Sequence, residues 1–211
     1  MAVEMDDVLV RAGWPTISGE VQATYSKHFA QYCYIKYPAQ DYQRFKQTFS
    51  AFKAGVEMAS ALLWKRGHWG KASYPSKQAA LITEISALWG GDLNWARALN
   101  EAPSSKVTFQ WWSRKLGRLR YITSAYLTHL VLPRDVPIID QHNFRAMNHL
   151  HRVQQPKIKP SDWSDIAQLK RFLTEANSKL QYAEGDFDKY LMMYGRALKP
   201  IQPKTSSKEH A

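Results

Sequence analysis

Cysteine is almost absent from this 211-residue sequence, which contains only Cys33. A single cysteine excludes an intrachain disulfide, a four-cysteine zinc site and a cysteine-bound iron–sulfur cluster. Long apolar runs are missing as well, and none approaches the ~18 residues that span a bilayer. The first ten residues carry three acidic side chains and no apolar stretch, unlike a signal peptide. We therefore expect an intracellular, cytoplasmic protein with no membrane segment, metal or other cofactor.

Positive charge and aromatic rings are abundant instead. Lysine and arginine number 29 against 18 aspartate and glutamate residues, a net charge of +11 at pH 7. The tail from Lys199 onward has three lysines and one glutamate, so it supplies only +2 of that charge. A positive electrostatic field attracts polyanionic partners, nucleic acid first and acidic membranes second. The alternative is that the positive charge only keeps the protein in solution. Aromatic residues make up 13% of the chain, enough for a large core and a pocket for a flat ligand.

Apolar residues recur every three or four positions, the spacing of amphipathic helices, whereas strand signals are weak. We predict an all-α fold, a compact bundle of about nine helices in one lobe or two. Residues 1–198 would form one domain and residues 199–211 a disordered basic tail. The first helix is capped by Ser18 and ends at Pro38, and the second runs from Asp41 to the loop Gly67–Gly70. The others begin at Ser76, Asp92, Ser104 or Ser105, Tyr121, Asp140, Ser161 and near Phe187.

The basic turn LGRLR, residues 116–120, joins the fifth and sixth predicted helices. Gly117 can end the fifth helix in a left-handed conformation. Unpaired N–H groups at the start of the next helix can bind a phosphate, assisted by the helix dipole. Four positive side chains surround the turn: Arg114, Lys115, Arg118 and Arg120. The alternative is an ordinary helix connection with solvated basic residues.

The segment VPIIDQHNFRAMN, residues 136–148, follows this turn. Together the two resemble the helix-hairpin-helix DNA glycosylases, the superfamily that includes endonuclease III. The match to the family pattern I/V-D-x-H-x-F-R-x-x-N is formed by Ile139, Asp140, Gln141, His142, Asn143, Phe144, Arg145 and Asn148. Upstream, the hairpin would begin at Leu116 and Gly117, and its second helix would begin at Thr123 to Ala125. The resemblance implies a helix-hairpin-helix element at 105–131 that grips DNA through the basic residues, Gly117 and Thr123, with Asp140 as catalytic carboxylate.

Three departures from the family pattern narrow this prediction. Leu119 or Arg120 replaces the second hairpin glycine, so the turn is altered. Ile122 occupies the place of the lysine that lyase members carry, and no lysine lies between Lys115 and Lys157. The cysteines of the family's iron–sulfur cluster are absent. The resemblance therefore implies a monofunctional glycosylase that uses water as nucleophile.

A carboxylate suits the cleavage of an N-glycosidic bond, because positive charge builds on the sugar as the base departs. Asp140 could stabilise that charge and orient or deprotonate water, with support from His142 and Arg145. The simpler alternative is that Asp140 only caps a helix. No cluster of acidic ligands accompanies His142, His149 and His151, so we predict no metal site.

A glycosylase also extrudes its target base and holds it by stacking. The candidates for a base pocket or a wedge into the DNA stack are Trp64, His68, Trp69, Trp111 and Trp112. Each of these tryptophans could instead belong to the core.

These features predict a DNA-binding hydrolase of base-excision repair, acting on duplex DNA with a flipped base and nucleoid-associated if the source is bacterial. One alternative is a non-catalytic DNA-binding module of the same fold in a repair or anti-phage assembly. A helical bundle that binds RNA or only other proteins is a second alternative.

Overall fold

The computed structural model describes residues 12–51, 57–66, 76–91, 104–117 and 120–199. In these ranges the chain forms nine helices and no strand, which confirms the predicted all-α fold. The helices are α1 (Trp14–Phe29), α2 (Ala39–Ser50), α3 (Met58–Lys65), α4 (Ser76–Gly91), α5 (Ser105–Leu116), α6 (Tyr121–Val131), α7 (Gln141–Leu150), α8 (Trp163–Leu180) and α9 (Glu184–Ala197). The predicted helix at Asp92 and the predicted tail beyond Lys199 lie outside the described residues. None of the described helices is long and apolar enough to cross a membrane.

Helix α1 differs from its prediction at both ends. It begins at Trp14 after Gly13 as N-cap, with Pro15 in the first turn, so the predicted Ser18 cap is wrong. Proline suits this position because its fixed φ is already helical and its missing N–H is not needed there. The helix stops at Phe29, and residues 30–38 form turns. Three tyrosines of these turns thereby leave the helix face and line a cleft described below.

Two further boundaries were also wrong in the sequence prediction. The second predicted helix is two helices, because α2 ends at Ser50 and α3 begins at Met58. Helix α8 is capped by Asp162 and not by Ser161. Asp162 accepts from the backbone N–H of Asp165, whose side chain accepts in return from the backbone N–H of Asp162. This reciprocal capping box satisfies donors at both positions, which a lone serine cap cannot do.

The described helices pack around two clusters of buried side chains. The first joins α1, α7, α8 and α9 through residues such as Ile17, Phe144, Leu169 and Phe187. The second joins α2, α3 and α4. Helices α5 and α6 contribute to both clusters, and ten of the eleven residues of α6 are buried. Because α6 is enclosed on nearly every side, it is the central helix of the fold.

Helices α7 and α9 approach each other closely at Gly195. A Cβ atom on Gly195 would lie 1.8 Å from the carbonyl oxygen of His142. The Arg145 guanidinium, also on α7, donates a hydrogen bond of 2.7 Å to the Gly195 carbonyl oxygen. Only glycine permits this crossing, and the crossing fixes the position of the first turn of α7.

Substituting Gly195→Ala should therefore lower the free energy of unfolding by about 3 kcal/mol, since the added methyl group has to push two helix backbones apart. Thermal and urea unfolding measure the loss. Gly185→Ala on the same helix is the control, because its Cβ would meet no atom within 4 Å. The control should change stability by less than about 1 kcal/mol. Equal stability of the two variants would contradict the close crossing.

Candidate active site

Asp140 lies immediately before α7 and caps it. Its Oδ1 atom accepts hydrogen bonds from the backbone N–H groups of His142 at 2.7 Å and Asn143 at 3.1 Å. The Asn143 side-chain oxygen accepts from the backbone N–H of Asp140 at 2.8 Å, which completes a capping box. The Asn143 amide group also donates to the Ile138 carbonyl and to Asp188 on α9. The capping role expected of Asp140 is present, and it fixes one carboxylate oxygen.

The other carboxylate oxygen of Asp140 faces a lysine from a distant part of the chain. Oδ2 lies 3.6 Å from the Nζ atom of Lys65 on α3, and the two side chains are 17% and 12% exposed. Burial acts to raise the pKa of the Asp140 carboxyl. The nearby charges of Lys65 and His142, together with the two backbone N–H groups, outweigh burial and lower this pKa below its ordinary value. The carboxylate is therefore ionised at neutral pH.

Asp140 and Lys65 both line a cleft of about 390 Å³. Its walls come from the 30–38 turns, α2, α3, α9 and the segment that precedes α7. Aromatic rings dominate the lining: Tyr32, Tyr34, Tyr37, Tyr42 and Trp64. The cleft thus combines flat apolar surfaces with an ionised carboxylate, as expected of a site for an aromatic ligand.

A neutral histidine from α6 supports one wall of the cleft. The Nδ1 atom of His129 lies 2.5 Å from the Val136 carbonyl oxygen, which can only accept, so Nδ1 carries the proton. Nε2 then accepts from the Tyr42 hydroxyl at 2.5 Å. Burial lowers the pKa of His129 to about 4. The Tyr42 ring, held in this way, stacks on Trp64 with a centroid distance of 4.8 Å and an angle of 11°.

Two more lysines supply positive charge at the cleft. The Lys46 ammonium lies 4.5 Å from the centroid of the Tyr42 ring, and burial lowers the pKa of this lysine. Lys189 on α9 pairs with Asp186 at 2.8 Å and lies 5.3 Å from the centroid of the Tyr34 ring. Cation–π contacts of this kind orient the ammonium groups toward the aromatic walls.

The two residues expected to support Asp140 have mainly structural contacts. The Arg145 guanidinium donates to the Gly195 carbonyl, and among the described residues it forms no ion pair with a carboxylate. His142 is half-buried, and its backbone N–H holds Asp140. Burial lowers the pKa of the His142 ring, although the Asp140 charge acts in the opposite direction. Both residues therefore keep α7 and its cap in position.

The residues of the predicted hairpin differ in their conformation and surroundings. Gly117 has the positive φ that was expected, 79°, but its ψ of 157° lies outside the left-handed helical region. Arg114 and Lys115 are exposed at the end of α5. Arg120 forms an ion pair with Glu84 of α4, and Thr123 is buried within α6, so its side chain is not on the surface. Arg118 lies outside the described residues.

The aromatic candidates for a base pocket or a wedge also lie in different surroundings. Trp64 lines the cleft, where its Nε1–H group donates to the Pro38 carbonyl at 3.0 Å. Trp112 is completely buried and belongs to the core, not to the cleft. Trp111 is half-buried, with its ring edge-on to Trp112 and 5.5 Å from the Lys115 ammonium. His68 and Trp69 lie outside the described residues.

No signal in the sequence marks Lys65, Tyr42, Lys46 or His129 as a site residue. Each is an ordinary member of a helix in the sequence, and nothing in its spacing links it to Asp140. Of the three histidines considered as metal ligands, His149 pairs with Glu20 at 3.0 Å. In the described part of the chain, no three side chains of ligand type are grouped closely enough to hold a metal ion.

Comparisons of the chain with protein-family models, curated proteins and solved structures found no match. The site is therefore interpreted from its own geometry.

The neutral state of His129 predicts a pH dependence of stability. The folded pKa of about 4 lies below the ordinary 6.5, so the unfolded chain binds the proton more readily. The neutral His129 side chain makes its full contribution to the free energy of unfolding above pH 6.5. That contribution is lost as the pH falls toward 4, by roughly 3 kcal/mol in total. Urea unfolding between pH 7 and 4 should show this loss in the wild type and a flatter profile in His129→Asn. Parallel profiles would contradict a buried neutral His129.

Proposed function

We propose that the protein is a DNA N-glycosylase in which Asp140 is the catalytic carboxylate. The observation that carries the proposal is the ionised Asp140 side chain on the wall of an aromatic cleft bordered by lysines. A residue that only capped a helix would need no cleft. The resemblance of residues 136–148 to the glycosylase pattern supports the same assignment.

The geometry suggests how such a reaction would proceed. A cleft of about 390 Å³ admits a base and its sugar but not a duplex, so the target nucleotide has to leave the stack. The rings of Tyr32 and Tyr34, which line the cleft and are less buried than Trp64, offer surfaces for the base. As the N-glycosidic bond breaks, the Asp140 carboxylate stabilises the positive charge on the sugar and orients the incoming water. The helix start fixes the position of this carboxylate before the substrate arrives.

DNA binding is the second part of the proposal. Arg114 and Lys115 are exposed where α5 meets the turn that precedes the central helix α6. Their charges can contact phosphates, which would position the duplex without reading its sequence. Of the predicted phosphate contacts, Arg120 already has a carboxylate partner, so we expect the exposed Arg114 to contribute more of the binding.

Replacing Asp140→Asn should reduce base release by about 10²- to 10⁴-fold while leaving the fold intact. Asparagine caps helices as well as aspartate does, so the variant removes the charge and keeps the cap. The assay uses duplexes with uracil, oxidised, alkylated or otherwise modified bases and detects the free base.

Asp162→Asn provides a closely matched control. Asp162 caps α8 with φ −145° and ψ 176°, against φ −146° and ψ 178° for Asp140, and it does not line the cleft. Its variant should retain base release. Release from no duplex, with DNA binding retained, would leave the non-catalytic DNA-binding module, an alternative that the complete capping box favours.

Arg114→Gln tests the DNA contact independently of catalysis. Removing one phosphate contact should weaken binding to all duplex sequences alike and reduce the slope of log K against log salt by about one. Fluorescence anisotropy with labelled duplexes at several salt concentrations gives the slope. Arg171→Gln, exposed on α8, is the control for a general loss of charge. Equal slopes in the two variants would exclude a specific role for Arg114.

A further inference from the structure

A second cleft, of about 440 Å³, lies toward the C-terminal end of α7. Two arginines, Arg145 and Arg152, line it together with Glu20, His149 and three apolar residues. None of the described residues that line this arginine pocket also lines the aromatic cleft beside Asp140. The arginine pocket is therefore a separate place where a ligand can bind.

The two arginines give the arginine pocket spare hydrogen-bond donors. Arg145 uses its Nη1 atom to donate to the Gly195 carbonyl at 2.7 Å, which leaves other N–H groups of its guanidinium for a ligand. In the part of the chain that the structure describes, the Arg152 side chain has no hydrogen-bond or ion-pair partner. Guanidinium groups bind carboxylates well, because their parallel N–H groups match the two carboxylate oxygens.

The backbone of Arg152 has a conformation that arginine rarely adopts. Its φ is 54°, in the left-handed region that favours glycine. The Arg152 N–H group donates to the His149 carbonyl at 2.8 Å, and the Val153 N–H group donates to the Asn148 carbonyl at 3.0 Å. Glycine commonly ends helices with bonds of this kind. Because arginine has a steric cost here that glycine would not have, its presence indicates a use for the side chain.

Apolar side chains and one carboxylate form much of the remaining lining. The apolar residues are Val153, Pro156 and Leu198. On Glu20, the Oε1 atom accepts from the Tyr194 hydroxyl and lies 3.0 Å from the Nε2 atom of His149. The Oε2 atom has no partner among the described residues, so it can accept a hydrogen bond from a ligand. The arginine pocket thus offers donors, an acceptor and apolar surface together.

This combination suits the end of a peptide chain better than a DNA phosphate. A phosphate has neither an apolar group nor a donor for Glu20 Oε2, whereas a terminal amino acid has a carboxylate, an apolar side chain and a backbone N–H group. Sites for free small molecules enclose most of their ligand. Here His149, Arg152 and Pro156 are exposed, so a bound chain end can continue into solvent.

We propose that the arginine pocket binds the C-terminal residue of a partner protein, an apolar residue with a free carboxylate. Its carboxylate pairs with Arg152 and Arg145, its side chain packs on the apolar lining, and its backbone N–H group donates to Glu20. Capture of a terminal carboxylate is one of the recurring modes of peptide recognition. The site is independent of the proposed glycosylase reaction, so either can fail without the other.

Fluorescence anisotropy with labelled pentapeptides tests the site on the full-length protein. The reference peptide is Gly-Ser-Gly-Ser-Leu with a free carboxylate, and it should bind in the micromolar range because the contact is small. Its C-terminal amide should bind at least about tenfold more weakly, since the charge that pairs with the arginines is gone. The same sequence ending in serine should also lose about tenfold, since it lacks the apolar side chain.

Two glycine variants separate the Arg152 side chain from its backbone conformation. Arg152→Gly removes the guanidinium and suits the positive φ, so peptide affinity should fall at least about tenfold while Tm stays equal or rises. Gln181→Gly is the matched control, because Gln181 ends α8 with φ 58° and does not line the arginine pocket. This control should bind the peptide as the wild type does.

Tighter binding of the leucine acid than of the amide and the serine peptide, lost only in Arg152→Gly, would establish the site. Equal binding of acid and amide, or equal losses in the two glycine variants, would overturn the inference. The absence of peptide binding up to about 1 mM would do the same. Weaker duplex binding by Arg152→Gly alone, without peptide binding, would assign the arginine pocket to a DNA phosphate instead.

Discussion

The two oxygens of the Asp140 carboxylate have different surroundings, and the arrangement of the site depends on that difference. Oδ1 accepts two backbone hydrogen bonds that start α7, whereas Oδ2 faces Lys65 across the cleft wall. The first set of contacts fixes the position of the group, and the second keeps it charged in a largely buried place. The backbone hydrogen bonds also favour the ionised carboxylate, so both sets of contacts act against burial, which by itself would favour the protonated form.

The position of this carboxylate depends in turn on the central helix α6 and on one glycine. Helix α6 belongs to both buried clusters and carries His129, which binds the Val136 carbonyl four residues before Asp140. On the opposite side, Gly195 allows α9 to reach the first turn of α7. The segment that ends at Asp140 is thus held both by His129 of α6 and by the close approach of α9. A rigid frame of this kind is what a preorganised site requires.

Local signals in the sequence predicted much of the fold. Ser104, one of the two predicted starts of α5, Tyr121 at the start of α6 and Asp140 at the start of α7 are correct, because each depends on residues within one helical turn. The tyrosines at 32, 34 and 37 were assigned to a helix, since periodicity does not reveal that their rings pack around Trp64 and Lys189. Lys65 was missed for the same reason. Its partner is defined only after α3 packs on α6.

The charges in the cleft have a consequence for its ligand. Three lysines and two aspartates line it, while His129 remains neutral. Two of the lysines have carboxylate partners, Lys65 with Asp140 and Lys189 with Asp186. Lys46 instead lies against an aromatic face in a place where burial already lowers its pKa. An anionic group bound beside Tyr42 would stabilise the charged form of Lys46 and so offset the cost of burying that charge. The flat rings and this cation together suit a ligand that combines an aromatic group with an anionic group, as the proposed reaction requires.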